Sequence, residues 1–528
     1  MSDQAPVGTG VTGYDATASV RLADVARVLR DDDDVAVAIR DVDRGTVLLH
    51  AGSRIEARRT IPRAHKIALR SVPSGSPVRK YGQVIGRATR DIAAGDHVHT
   101  HNLGMDDRAG LGYEFGTARA TLPPASRPRT FEGYVRADGR VGTRQYIGIL
   151  TSVNCSASTS RMIADQFRGS VLERYPNVDG VVALTHDSGC GLVTESEGAD
   201  VLRRTLRGYA SHPNIAGVLV LGLGCEMLPV DSLLDDRAMP ADTIVEHMTI
   251  QETGGIRASV RAGVAAVEAM AERVASRQRR TVAASELVLG LNCGGSDGYS
   301  GITANPALGV ASDLLVAQGG TSILAETPEV FGAEHLLTRR AVSEAVGRRL
   351  LERIEWWQAY VANGGGTLDN NPSPGNRAGG ITTILEKSLG AVAKAGVAEL
   401  SEVYRYAEPV TTRGLTFMDT PGFDPVSVTG LVAGGATVVC FTTGRGSVLG
   451  CKPAPSIKIA TNSQLFQHMR EDMDLDAGGI VDGVESVEQV GERIWDTILE
   501  VASGRRTVSE ELDLGQDEFI PWQLGAVT

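Results

Sequence analysis

The chain has 528 residues, too many for one ordinary core, so two to four domains are expected. Hydrophobic residues make up 42% and charged residues 22%, a normal soluble balance, and a net charge of −12 argues against nucleic acid as the main partner. No apolar run approaches the roughly 18 residues that span a bilayer, and the opening MSDQAPVGTGVTGYDATAS lacks the apolar core of a signal peptide; a cytoplasmic protein with no membrane partner is expected.

In chain order, residues 16–105 read as a small β-rich unit. VAVAIRDV, TVLLHAG, KIALRSV and HVHTHNL are short alternating runs bounded by Gly, Pro and Asp, as strands and turns are. Between Ala51 and Thr100 ten Lys and Arg, among them Lys66 and Lys80, stand against three acids. A basic island on an acidic protein suits an anionic ligand; a solvated face is the plainer alternative. Within it, His65-Lys66 and the run HVHTHN (His97, His99, His101, Asn102) gather titratable groups. Histidines at i, i+2 and i+4 share one face of a strand and could bind a metal or move protons. Residues 106–130 lack a sustained period and end Pro-, Arg- and Ser-rich, which marks a linker.

From Phe131 the pattern changes to strand, loop, helix. YIGILTSV, GVVALTH, AGVLVLGLG, SELVLGLN, TSILAETPE, GLTFMDTPG, ATVVCFTTGRG and SIKIATN are apolar strands. Helices are expected at VRAGVAAVEAMAERVASR and LLTRRAVSEAVGRRLLERIEWWQAYVA. Apolar strands alternating with helices predict largely parallel α/β sheets. A boundary near residue 282 divides them into a second domain, 131–282, and a C-terminal domain, 283–528.

Of six cysteines, Cys155, Cys190, Cys225 and Cys293 fall at or just past the carboxyl ends of predicted strands, where open α/β sheets bind ligands. Cys440 sits inside an apolar run, as a packing cysteine should. The four lie beside Asn154, His186, Asp187, Glu226, Asn292 and Asp297. Soft thiolates favour zinc, iron or iron–sulfur clusters. With no C-x-x-C pair, a zinc ribbon or ferredoxin-type cluster is disfavoured and a site with one ligand per loop is expected, mononuclear iron and iron–sulfur both staying open. The glycine-rich loops NNPSPGNRAGG and TTGRGS expose backbone N–H groups suited to oxyanions, with Arg445 able to fork onto a carboxylate. Lys387 and Lys458 are further cation candidates. VLGLGCE lacks the third glycine of a dinucleotide fingerprint.

The runs KIALRSVPSGSPVRKYGQVIGRATRDIAAGDHVHTHN, GYVRADGRVGTRQYI, VLGLGCE, CGGSDGYSGITANP, NPSPGNRAGGITTILEKSLG and TTGRGSVLGCKPAPSIKIATN resemble the altronate/galactarate dehydratase family. The resemblance covers about residues 17–528 and implies an SAF-type N-terminal domain, a second domain and a C-terminal domain opened by CGGSD. It implies iron(II)-dependent loss of water from a sugar acid to give a 2-keto-3-deoxy acid, in a homo-oligomer, with an iron–sulfur cluster or another divalent metal as alternatives. Carried onto this chain, Cys155, Cys190, Cys225, Cys293 and Asp297 crowd the metal, and His186 or His65 is the base. Lys66 and Arg445 hold the anion. Lys80, His99, His101, Asn102, Ser296, Asn376 and Lys387 bind substrate. NPSPGN looks like the altronate branch, whereas FTTGRGSVLG and GQDEFIPWQ look closer to galactarate-type members. Sulfite loss from a sulfolactate-type acid and a non-catalytic sugar-acid-binding module are the competing expectations.

Overall fold

The computed structural model describes residues 19–106, 112–120, 122–125, 127–234 and 239–524. The opening polar segment and linker residues 107–111 lie outside it. The chain forms the expected mixed α/β fold: a β-rich N-terminal unit, then two units built on parallel sheets.

The N-terminal strands are short and form three small sheets. In one, Lys66–Ala68 lies between Val35–Ala38 and His97–Val98, antiparallel to each. Alternation along a strand sends neighbouring side chains to opposite faces. Ala36, Ala38 and Ile67 therefore fill the unit's own core with Leu48 and Ile61. On the other face, Val35, Ala68 and Val98 join Leu289, Leu291 and Leu308 in the C-terminal core. Lys66 lies on that second face, so the alternation that docks the unit also carries a lysine into the junction.

The second unit is a four-stranded parallel sheet in the order Gly180–Leu184, Tyr146–Thr151, Ile215–Gly222, Ile244–Thr249. Leu150, Val182 and Val220 pack on one side with Leu202, Leu206 and Tyr209 of helix Glu197–Ala210. Ile147, Ile149 and Leu219 pack on the other with Val267, Met270 and Val274 of helix Ile256–Ala275. Burial on two faces explains why these strands read as unbroken apolar runs. Thr130–Val135, before this sheet, pairs antiparallel with Arg280–Ala283, after it.

The C-terminal sheet has seven strands, all in parallel pairs: Leu400–Tyr404, Gly414–Met418, Thr321–Leu324, Val288–Cys293, Val438–Thr443, Ser456–Ala460, Leu475–Asp476. Val288–Cys293 comes first in sequence and lies in the middle, flanked by Thr321–Leu324 and by Val438–Thr443. Later strands are laid down on both sides of this strand. Such a switch point opens a crevice beyond the strand's carboxyl end, between the loops that depart from it. Residues 294–303, after this strand, and 444–447, after the adjacent Val438–Thr443, border the crevice.

The N-terminal unit closes on that crevice by backbone contact. A Cβ at Gly298 or at Gly380 would strike the carbonyl oxygen of Ala64, and Gly380 is also at φ +100°. We expect Gly298→Ala to weaken docking by about 1–3 kcal/mol through overpacking. Faster amide exchange at residues 65–68 than in the wild type would report it; unchanged exchange would contradict the packing described.

Candidate active site

One carboxylate organises the junction. Glu386, on helix Ile384–Val392, is fixed by the N-cap Thr383, whose hydroxyl accepts from the Glu386 amide and donates to Ile85 O at 2.6 Å. Lys66 Nζ lies 2.8 Å from Glu386 Oε2 and 2.7 Å from Gly380 O. Lys80 Nζ lies 2.9 Å from Glu386 Oε1. Thr382 adds its amide and hydroxyl to Oε2, at 2.9 and 2.6 Å. All three charged side chains are buried, so two ammoniums share one carboxylate away from water.

Burial lowers the Lys66 ammonium to about 8 against the pull of Glu386. Burial also acts to lower Lys80, but Glu386 and Tyr81 more than offset it and hold it above its ordinary value. Burial pushes Glu386 up, yet the two lysines hold it far below the usual carboxylate range. The coupled triad therefore gives up its extra proton just above neutrality. The stability consequences follow by sign. Glu386 contributes stability that is present above its ordinary 4.5 and lost as pH falls through its lower folded value. For Lys66 the folded chain holds fewer protons than the unfolded between about 8 and 10.5, so its contribution rises with pH across that window.

Next to the triad, Lys80, Ser296, Asp297, Lys387 and Cys293 line a small enclosed void. Asp297 also lines a wider cleft of about 740 Å³, together with Arg63, Tyr299, Arg445, Asn462 and His468. Asp297 is thus the wall between void and cleft. Its carboxylate accepts from Tyr299 N, Ser300 Oγ, Thr461 Oγ1 and Asn462 Nδ2 at 3.0–3.2 Å. Burial raises its pKa, and those donors oppose the rise. Gly444 has no room for a Cβ against Asp297, which is why a glycine opens this loop.

Behind the void lies a second charged set. Cys293 Sγ accepts from Lys394 Nζ at 2.8 Å, and Lys394 Nζ is 2.6 Å from Glu326 Oε2. Lys387 Nζ is 2.6 Å from Glu329 Oε1. Glu326 sits at φ +69°, a left-handed conformation costing about 1–3 kcal/mol in a non-glycine residue. Burial raises the Cys293 thiol and, with Glu326 and Glu329 adding to it, pushes Asp424 up to about 8. Cys293, Glu326 and Glu329 each place a donor atom within 4.8 Å of the others, and Glu326 Oε1 is buried with no hydrogen-bond partner. That invites a metal. However, two ammoniums already balance the two carboxylates, and Lys394 holds the thiol. A resident cation would have to displace Lys394, so as folded this set does not fit one.

The other expected residues divide by place. His65 Nδ1 is 2.9 Å from His97 Nε2, and its Nε2 is 3.2 Å from Ala378 O. His99 stacks on His65 and reaches Arg377 O at 2.8 Å. Burial lowers His97 to about 3 and His99 to about 4, leaving neutral imidazoles between the N-terminal unit and the 370–380 loop. His101 lies at the rim beside Arg59. Asn102 accepts from His99 N and donates to His97 O, so its amide is consumed in shaping its own turn. Asn376 completes a capping box with Ser373 and donates to Ser296 O, tying two loops together. Arg445 is exposed on the cleft, with no side-chain hydrogen bond among the described residues.

His186, expected as a base, lies in the second unit, apart from the triad. Its Nε2 is 3.0 Å from Thr151 O and its Nδ1 accepts from Ser188 N, so backbone occupies each nitrogen. Burial lowers it to about 4. Cys155, Cys190 and Cys225 are exposed in the second unit, whereas Cys293 is buried in the C-terminal one, so the four thiols do not share one environment. Sequence reasoning passed over Glu386, Glu326, Glu329 and Lys394. The strand-end rule that drew attention to the cysteines applies equally to Glu326, just past TSIL.

Three family models match in series: the altronate/galactarate dehydratase SAF domain over residues 26–106, the second domain of D-galactarate dehydratase/altronate hydrolase over 133–275, and the C-terminal domain of D-galactarate/altronate dehydratase over 284–527. Galactarate dehydratase (L-threo-forming) of Escherichia coli is 40% identical over 92% of this chain and 94% of its own. Altronate dehydratase of Bacillus subtilis is 36% identical over 92% and 96%. The chain belongs to the altronate/galactarate dehydratase family. It is accordingly a carbon–oxygen lyase. The (2R)-sulfolactate sulfo-lyase subunit beta of Chromohalobacter salexigens is also similar, 32% identical over 74% of this chain and 97% of its own. In this family member the SAF domain carries Lys66 and Lys80, and the C-terminal domain carries Glu386.

Glu386→Gln leaves two buried ammoniums without a counter-charge. We expect a loss of about 3–5 kcal/mol in urea unfolding at neutral pH. The deficit should shrink as pH rises, beginning below about 8, because without Glu386 nothing opposes the burial and the Lys80 charge that strip Lys66 of its proton. A deficit independent of pH would count against the shared-proton arrangement.

Proposed function

We propose that the protein dehydrates a sugar acid, an altronate-type aldonate or a galactarate-type aldarate, to a 2-keto-3-deoxy acid. The carrying observation is the buried Lys66–Glu386–Lys80 triad at a small void that shares Asp297 with the cleft bearing Arg445. The names of the two dehydratase relatives support the substrate class.

A carbon acid next to a carboxylate loses its proton readily only when the negative charge that develops is neutralised. In this reading the substrate carboxylate lies on Arg445 and Arg63, with the reacting carbons directed past Asp297 toward the void. The triad takes the C2 proton in its deprotonated form, and its remaining ammonium, with Lys387, holds the enediolate. Hydroxide then leaves C3 as water, the proton coming from a carboxyl that is neutral at physiological pH; Asp424, against Gly294, is such a group. In this reading the His65–His97 pair, 2.9 Å apart, relays protons between triad and solvent. Iron is part of the proposal at the three exposed thiols, whose donor chemistry suits it better than the lysine-occupied Cys293 set. When bound it would supply Lewis-acid or electron-accepting chemistry. The proposal also includes a cytoplasmic location and a homo-oligomer, the latter testable by light scattering.

Anaerobically purified protein should convert an aldonate or an aldarate to a keto acid detectable as its semicarbazone. Sulfite release from sulfolactate, with no keto acid from sugar acids, would instead assign it to the chemistry named for the sulfo-lyase relative. The rate should peak near pH 8, falling above it as Asp424 loses its proton and rising below it as the triad becomes the acceptor, the limb that reports Lys66. Lys66→Arg, charged at every pH used, should remove that limb and lower kcat by roughly 100-fold or more. Arg445→Ala should mainly raise KM, by roughly tenfold, as loss of one charge-assisted contact does. A lowered kcat with KM unchanged would move Arg445 out of carboxylate binding.

A further inference from the structure

Free cysteines are among the most buried residues in folded proteins. Here Cys293, Cys440 and Cys451 follow that rule, while Cys155, Cys190 and Cys225 are exposed. The three exceptions sit in loops leaving three adjacent parallel strands, Tyr146–Thr151, Gly180–Leu184 and Ile215–Gly222, with Tyr146–Thr151 in the centre. Neighbouring strands are about 4.8 Å apart, so these loops start side by side.

Direct contacts keep them together beyond the strands. Asn154 N donates to Ser188 O at 2.9 Å, and Asn154 Nδ2 reaches His186 O at 3.3 Å and Asp187 Oδ1 at 3.2 Å, joining the Cys155 and Cys190 loops. Met227 N donates to Gly189 O at 3.2 Å, joining the Cys190 and Cys225 loops. Ser152 Oγ donates to Glu226 Oε1 at 2.7 Å, joining the Cys225 and Cys155 loops. The three loops form a closed ring of contacts, each with a thiol. Gly189, Gly191 and Gly224, each within one residue of a cysteine in this ring, take positive φ. Gln251 Nε2 points at Cys225 Sγ from 3.8 Å, an amide donor of the kind that tunes metal-bound sulfur. The His186 ring, locked by Thr151 O and Ser188 N, shapes the loop before Cys190.

We infer that Cys155, Cys190 and Cys225 are the thiolate ligands of an iron–sulfur cluster carried by the second unit, separate from the charged set around Cys293. A single tetrahedral ion draws its sulfurs in to about 2.3 Å and hence close to one another. Among the described residues, the three thiols do not form a set within 4.8 Å, whereas Cys293, Glu326 and Glu329 do. A cluster, whose own atoms separate the ligand sulfurs, suits the wider spacing. Each thiol gives up its proton on ligation.

The readout is the cluster rather than turnover, so the inference stands or falls apart from the substrate proposed above. Full-length protein is prepared anaerobically and reconstituted with ferrous and ferric iron, sulfide and dithiothreitol. Bound iron and acid-labile sulfide, visible charge-transfer absorption and the paramagnetic resonance spectrum after reduction are then measured. Wild type should bind iron and sulfide in comparable amounts. Cys155→Ser, Cys190→Ser and Cys225→Ser should each lose the absorption or change the resonance, and Cys293→Ser should retain them. In wild type, alkylation read by mass spectrometry should label the three thiols before reconstitution and spare them afterwards, which needs no variant to fold. Iron without sulfide, zinc alone, loss of the cluster in Cys293→Ser, or unchanged alkylation after reconstitution would overturn the inference.

Discussion

The contact between Glu386 and two lysines from another domain is what the rest of the site depends on. Taking one carboxylate and two ammoniums out of water is costly, and only close mutual geometry offsets it. The geometry comes from elements that are themselves fixed: a strand whose other face is the SAF domain's core, and a helix capped by Thr383, whose hydroxyl bonds Ile85 across the junction. Because the triad spans the junction, neither domain can hold it alone. Docking and the proton affinity of the site are therefore one quantity, which is a physical reason for a separate β-rich domain to be retained against an α/β domain.

The C-terminal sheet decides where that docking occurs. Its switch point at Val288–Cys293 opens a crevice, and loops from the neighbouring strands bring Glu326, Asp297, Arg445 and Asn462 to it. Charges placed there are screened less than at the surface. The SAF domain then roofs the crevice, and the backbone of Ala64 meets Gly298 and Gly380 so closely that no side chain separates the two domains. A cationic, roofed cleft is suited to a small anion, in agreement with the basic island on an otherwise acidic chain.

Much of this was legible in the sequence, for identifiable reasons. Unbroken apolar runs marked the parallel strands because those strands are buried on two faces, and a strand's end is visible where glycine and polar residues begin. His65, Lys66 and Lys80 stood out as charge in a β-rich stretch. Glu386 did not, because its partners are 306 and 320 residues away and pairing at that range leaves no local mark. His186 was a candidate base through the family resemblance alone; only coordinates show backbone on each ring nitrogen. Cys293 shared the strand-end position of the other thiols, and position alone could not show that a lysine from Ala393–Ala395 covers it.

The two α/β domains use the same device, side chains at the carboxyl ends of parallel strands, for opposite kinds of chemistry. In the C-terminal domain burial selects the outcome: ammoniums pair with carboxylates, the thiol beside Lys394 is raised, and protons are held at set positions. In the second domain exposure selects it. Cys155, Cys190 and Cys225 are open to water there, whereas Cys293 is buried with Lys394 Nζ 2.8 Å from its sulfur. The two sets of side chains thus lie on separate sheets, the buried one among lysines and the exposed one open to water.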